Sequence, residues 1–210
     1  MKRIRLTFLL LFIAITVSDG FNRADSSDLG SNWTPIDATS NRNLQIVSNK
    51  VRGSAVGTVA IEVWTGNSFS AWQEASVTLT NIGAGSYHGG VYLRATTDGA
   101  TLTGYYCLAR NTGGSSTSVI GHVVAGSFSD DITENSTTWA ANDVLRCTVI
   151  GPNLVLYRNG TQLLALTNST ITTGSPGIST YAGSSLADIQ LDNFTASSGP
   201  GNIFGSGVIQ

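Results

Sequence analysis

Charge is scarce in this chain. Asp, Glu, Lys and Arg together make up 11% of its 210 residues, against roughly 25% in ordinary domains. Beyond residue 20 the only lysine is Lys50, and the only glutamates are Glu62, Glu74 and Glu134. Solvated helix surfaces are built from Ala, Leu, Glu and Lys. A chain that offers Gly, Ser, Thr and Asn in their place has a β composition. The formal net charge is −2 and no basic run occurs in the body. Duplex binding needs several phosphate contacts from Lys or Arg, so nucleic acid is not an expected partner.

Long apolar runs are missing too. Leu6 to Val17 is an uncharged, mostly apolar stretch of twelve residues, short of the about 20 that a membrane-spanning helix needs. The mature chain is therefore expected to have no membrane span. Lys2, Arg3 and Arg5 precede the stretch, and Ser18-Asp19-Gly20 follows it with small residues. That order reads as a secretory signal; the competing reading is a retained N-terminal strand or an anchor. The expected organisation is a leader over 1–20, one domain over 21–197 and a flexible tail over 198–210. Such a chain is secreted or held at a cell surface, with a virion surface as the alternative.

Cysteine is equally sparse. Cys107 and Cys147 belong to no C-x-x-C pair and have no histidine at ligand spacing, which argues against zinc. In an exported protein they form one disulfide; otherwise they are two free, buried thiols acting as small apolar side chains. The sequence leaves both open.

What the chain does contain is short period-2 alternation broken by turn residues, the mark of a sandwich or barrel. Gln73, Ala75, Val77 and Leu79 fall on one face of a predicted strand, and Glu74, Ser76, Thr78 and Thr80 on the other. Val91, Leu93 and Ala95 alternate with Tyr92 and Arg94. Tyr105, Cys107 and Ala109 alternate with Tyr106, Leu108 and Arg110, and Leu145, Cys147 and Val149 with Arg146 and Thr148. Thr97 to Ala100 and Asn159-Gly160 supply hairpin turns. Trp33, Trp64 and Trp72 stand among apolar neighbours and are expected in the core.

Four segments in this order carry a likeness: Phe21 to Trp33 (FNRADSSDLGSNW), Gly89 to Arg110 (GGVYLRATTDGATLTGYYCLAR), Asn142 to Leu163 (NDVLRCTVIGPNLVLYRNGTQL), and Gly177 to Thr180 with Leu186 to Ala196 (GIST and LADIQLDNFTA). The chain resembles the concanavalin A-like lectin/glucanase superfamily over roughly residues 20–197, and more narrowly its laminin-G-like jelly-roll modules. The resemblance implies an all-β fold, a two-sheet antiparallel β-sandwich in which the strands holding Phe21 and Phe194 lie close together. It implies a groove that in many relatives binds glycans. It also implies a structural Ca2+ joining the first and last strands, for which Asp25, Asp28, Asp192 and Asn193 are the candidate ligands. A fold carries many functions, so the site must be argued from its residues.

Enzymes of that superfamily that cleave β-glucans place paired carboxylates on one strand face. Glycoside hydrolysis needs two carboxyl groups about 5–5.5 Å or 6.5–9.5 Å apart. Glu74 has no acid two or four positions away, Glu62 is isolated, and Asp188 and Asp192 lie roughly 13 Å apart along a strand at about 3.3 Å per residue. Asp130, Asp131 and Glu134 read as a solvated loop. The motif is absent, so an enzyme is not expected. Sugar binding needs aromatic rings beside planar polar groups, and Tyr92 and Arg94 on one strand with Tyr106 and Arg110 on the next would form such a patch if the strands are neighbours. Tyr87, His88, Trp139 and Tyr157 extend it. His122 reads as a strand-surface residue.

The function that unites these observations is an exported, non-catalytic carbohydrate-binding, lectin-like or surface-adhesion module whose partner is a glycan or polysaccharide. A structural or interaction subunit of a virion or cell surface, with protein partners, is the second reading. A glycan hydrolase or lyase is the third.

Overall fold

The computed structural model describes residues 14–36, 42–98 and 101–199. Among them fifteen strands form two antiparallel, open sheets and there is no helix. In the first sheet the order is β13 (Thr161–Thr167), β12 (Asn153–Arg158), β11 (Asp143–Ile150), β6 (Gln73–Ile82), β15 (Ile189–Ser198), β4 (Lys50–Gly53) and β3 (Leu44–Val47), with β1 (Ile15–Asp19) also paired to β15. The second sheet runs β10 (Ser127–Glu134), β9 (Ser115–Val124), β8 (Thr101–Thr112), β7 (Tyr87–Asp98), β14 (Ser175–Ala182), β5 (Val59–Trp64) and β2 (Trp33–Pro35). This is the two-sheet sandwich that the alternation and the resemblance imply.

The period-2 rule explains the core. Along β6, Gln73, Ala75, Val77 and Leu79 are buried while the residues between them are half-exposed. They face Val91, Leu93, Tyr105, Cys107 and Ala109 of the second sheet. The Sγ atoms of Cys107 on β8 and Cys147 on β11 are bonded, so a disulfide crosses from sheet to sheet through the centre of the core. Of the two states the sequence leaves open, the cystine is the one found.

The ends of the domain meet as the bracketing segments predict. Phe21, Trp33, Trp64 and Phe194 form one buried aromatic cluster, with Trp33 and Phe194 centroids 4.8 Å apart and Trp33 and Trp64 5.1 Å apart. Trp72 is the exception among the tryptophans, at 40% exposed. The strand that closes the bracket starts earlier than residue 21. β1 pairs with β15 from Ile15 opposite Ser198 to Asp19 opposite Phe194. Asp19 then gathers the turn that follows: its carboxylate accepts from the Phe21 N–H at 2.8 Å, from the Arg23 guanidinium at 2.7 and 3.1 Å, and from the Trp33 indole at 3.0 Å. Residues 15–19 are thus strand within the segment expected as a leader. Residues 1–13 of that leader, and 200–210 of the expected tail, lie outside the described residues; Ser198 still belongs to β15.

One acid is sealed in the interior. Glu62 on β5 is 2% exposed, and its Oε1 accepts the Leu44 N–H at 3.0 Å. Burial pushes its carboxyl up to about 7, against the downward pull of the Leu44 hydrogen bond and with help from the charge of Asp28. The native state therefore keeps a proton that the unfolded chain releases near 4.5. The contribution of Glu62 to stability should be level below about pH 4.5, fall as pH rises from there to about 7, and level off above it. At about 1.4 kcal/mol per pH unit the fall amounts to about 3 kcal/mol. Urea unfolding at pH 5 and pH 8 should show this loss in the native chain and not in Glu62→Gln; equal slopes in both would refute it.

Candidate functional site

β7 and β8 are hydrogen-bonded neighbours in the register the sugar-patch expectation requires, with Tyr92 opposite Tyr106 and His88 opposite Arg110. Alternation sends Tyr92, Tyr106 and Leu108 to the outer face of the second sheet, where they pack in a second apolar cluster with Ile61, Val63 and Val119. β10 adds Phe128 and Asp130, two positions apart on one strand face. Together Val59, His88, Tyr92, Tyr106, Leu108, Arg110, Phe128 and Asp130 line a hollow of about 210 Å3. Gly121 on β9 makes room for it: a Cβ there would stand 2.4 Å from Cζ of Tyr106, so only glycine lets that ring lie down on the sheet.

Hydrogen bonds fix the rim. The Arg110 guanidinium grips Asp130 with two bonds, Nη1 to Oδ2 at 2.6 Å and Nη2 to Oδ1 at 2.9 Å. The Tyr106 hydroxyl donates to Oδ1 of the same carboxylate at 2.8 Å. Bidentate geometry of this kind is both stronger and more directional than a single contact. The Tyr106 ring lies 6.0 Å from Phe128 and 5.8 Å from Tyr92, and His88 stacks on Tyr181 with centroids 5.0 Å apart.

The electrostatics leave the hollow without net charge near neutral pH. The hydrogen bonds from Arg110 hold the Asp130 carboxyl below the usual carboxylate range, and the same bonds hold Arg110 up. Burial pushes the Tyr92 phenol up, and burial with the Asp130 bond does the same to Tyr106. Burial, then the neighbouring Arg110 charge, lowers His88 to about 4, so its imidazole is neutral. An ion pair, a neutral imidazole and neutral phenols offer donors and acceptors without a bare charge.

Of the eight residues expected at a ligand, His88, Tyr92, Tyr106 and Arg110 come together. Tyr92 and Tyr106 are 1% and 2% exposed, so they form the floor and present no open ring; the open ring is Phe128, at 53%. The other four lie elsewhere. Arg94 sits at a bulge in β7 with φ 50°, which breaks the alternation and turns its side chain inward. There it is 3% exposed, donating to the carbonyls of Ala71, Ile171 and Gly151 at 2.8, 2.6 and 2.7 Å. Tyr157 belongs to the first sheet, where the Arg146 guanidinium lies 3.8 Å over its ring. Tyr87 and Trp139 are buried at a separate cleft. His122, expected on a strand surface, bonds Asp131 at 2.8 Å, and Asp131 in turn accepts from Asn168 at 3.0 Å.

Asp130 and Phe128 are the residues that sequence reasoning misses. Asp130 reads as part of a solvated loop, yet it lies in β10, and the i, i+2 spacing from Phe128 was the available signal.

Asp25, Asp28 and Asp192, three of the four candidate calcium ligands, are not gathered at one point. Ca2+ takes six to eight oxygens. Here Asp25 accepts the Ser48 N–H at 2.8 Å, Asp28 the Gly30 N–H at 2.9 Å and Asp192 the Asn193 N–H at 2.7 Å. Asn193 occupies a bulge with φ 51° in β15. Among the described residues no three His, Cys, Asp or Glu side chains gather as a metal centre requires.

No protein-family model matches the chain, and no curated protein matches it by sequence. Solved structures do resemble it. The carbohydrate-binding module CBM66 from Bacillus subtilis superposes with a TM-score of 0.56 at 14% identity, over 78% of this chain and 92% of that one. The Emp47p carbohydrate recognition domain gives 0.60 at 10% identity, over 88% and 95%. The CBM2 module of the evolved Dit protein of Lactobacillus casei BL23 phage J-1 gives 0.57 at 10% identity, over 88% and 95%. At these identities the likeness is one of architecture: the chain has the concanavalin A-like, jelly-roll lectin fold.

Proposed function

We propose that this chain is a non-catalytic carbohydrate-binding module that holds a sugar on the outer face of its second sheet and acts outside the cell or on a virion surface. The observation that carries the reading is the pairing, on one rim, of the exposed Phe128 ring with the Arg110–Asp130 fork. A sugar ring has an apolar C–H face and an edge of hydroxyls. Phe128 matches the first, and the remaining donors of Arg110 and lone pairs of Asp130 match the second. Three solved structures of this architecture carry carbohydrate binding or recognition in their names or module class.

The absence of catalysis is supported by the lining of the hollow, in which Asp130 is the single acid, where glycoside hydrolysis uses two. Export is supported by the basic and apolar N-terminal segment and by the internal cystine, a bond that persists in oxidising compartments. A second reading, a surface subunit that docks on protein, is favoured by the groove of about 300 Å3 beside the hollow, where Ile36, Val59, Ile61, Leu102 and Phe128 stand with Arg42 and Thr58.

A glycan array probed with the full chain and with Arg110→Ala and Phe128→Ala tests the site. Each variant should bind its best glycan at least roughly tenfold more weakly, the loss expected for one charged hydrogen bond or one ring contact. An array pattern that both variants leave unchanged sinks the hollow as the sugar site. No glycan binding by the native chain, with capture of a protein instead, selects the second reading.

A further inference from the structure

The hollow leaves Tyr87 and Trp139 unused. They form part of a larger cleft, about 610 Å3, where strand ends from both sheets meet. Ile82 ends β6 and Gly83 follows it, Tyr87 begins β7, Asn111 is next to last in β8, Ser115 and Ser116 begin β9, and the segment from Asn135 to Trp139 lies between β10 and β11. This volume falls within the roughly 300–1,000 Å3 of ordinary small-molecule sites.

Its lining has one chemical character. Hydroxyls and amides dominate, from Tyr87, Asn111, Ser116, Asn135 and Thr138 among others, and no Asp, Glu, Lys, Arg or His lines it. Burial raises the Tyr87 phenol, opposed by hydrogen bonds from Ser116 and Asn111, so it stays a neutral hydroxyl. A phosphate or a uronate would find no cation in this lining, and burying an unpaired charge is costly. A lipid chain would strip water from the exposed polar groups of Asn135 and Thr138 and offer nothing in its place. What satisfies such a surface is an uncharged molecule dense in hydroxyls.

The loop that closes the cleft is held before any ligand arrives. The Glu134 carboxylate accepts from the backbone N–H groups of Ser136 and Thr137 at 2.5 and 3.1 Å, and from both of their hydroxyls. The Trp139 indole donates to Ser118 at 3.2 Å, and its backbone N–H to Ser116 at 3.3 Å. On the far wall Asn111 Oδ1 accepts the Gly114 N–H at 3.0 Å, fixing the β8–β9 turn. A site fixed in this way binds without first having to order a loop.

We propose that this end cleft is a second binding site, separate from the hollow, that takes a neutral oligosaccharide by hydrogen bonding. The two buried aromatics form its floor, and the exposed Asn135 and Thr138 stand at its mouth.

Amide-proton shift mapping on the full chain tests it, with maltotriose, cellotriose and lactose as neutral probes and glucuronic acid and glucosamine as charged ones. At least one neutral probe should move the amides of Gly114, Ser115, Ser116, Asn135 and Thr138. Asn135→Ala and Thr138→Trp, both at exposed positions, should weaken that response by roughly tenfold, the value of about one hydrogen bond. Phe128→Ala, which alters the hollow and the groove beside it but not the cleft, should leave it unchanged. Shifts confined to Val59, Arg110, Phe128 and Asp130 would overturn the second site and leave the hollow standing. Tighter binding of a charged probe at the cleft, or no response there to any neutral probe, would overturn it as well.

Discussion

Arg94→Met will lower the stability of the fold by about 3–5 kcal/mol, a cost set by hydrogen bonds to a charged group and by what their loss leaves unpaired. The guanidinium is a buried three-way tie. Nε reaches Ala71 just before β6, Nη2 reaches Gly151 in the β11–β12 turn, and Nη1 reaches Ile171 between β13 and β14. Its own backbone N–H donates to Gln73 Oε1 at 2.8 Å, and the Gln73 amide continues to Gly174 and Ser70. Methionine restores the volume and none of the donors. Arg94→Lys keeps the charge, yet a single ammonium cannot match the planar fork, so most of the loss should remain. Urea unfolding measures both; a change below about 1 kcal/mol for Arg94→Met would show that the three carbonyls find other partners.

The second large effect lies at the cystine. Cys107→Ala with Cys147→Ala should cost about 4 kcal/mol, the loop-closure value for a cross-link spanning 40 residues. Each cysteine is also a packed core side chain, 0% and 1% exposed, so truncation adds a small cavity to the lost constraint. The midpoint of denaturant unfolding should fall accordingly. An oxidised native chain no more stable than the double variant would refute a structural role for the bond.

Much of the fold is legible from pattern alone. β6, β8 and β11 alternate as strictly in space as they do in sequence, and that alternation gives Tyr92 and Tyr106 their faces, while the β7–β8 register sets them side by side. The pattern fails where one residue breaks the pleat. Arg94 and Asn193 both adopt positive φ, and neither is glycine. A bulge shifts every later side chain to the opposite face. Arg94 is thereby drawn out of the sugar patch into the interior, and Phe194 is returned to the core three residues after Leu191. Residue type gives no warning at Arg94, whereas Asn193 is of a type enriched at positive φ.

Other misses have different causes. Trp72 looks like core because of its size, but position in the pleat decides burial. The edge strand β1 hides in a segment whose composition suits two fates, export and pairing. Asp130 was hidden by its neighbours: Asp131 and Glu134 make the stretch look solvated, while the bulge between Asp130 and Ile132 separates their roles. Asp130 serves the hollow, Asp131 binds His122, and Glu134 caps the next loop.

The strand formed by Ile15–Asp19 gives the N-terminal segment a double meaning. A peptidase cut after Gly20 would take away the whole of β1 and the Asp19 carboxylate with it. Phe194 to Ser198 would then expose a bare row of backbone donors and acceptors, and the Trp33 indole would lose its acceptor. Unpaired edges of that kind recruit strands from other chains. A cut at that point would leave this edge of β15 open to a strand from another chain.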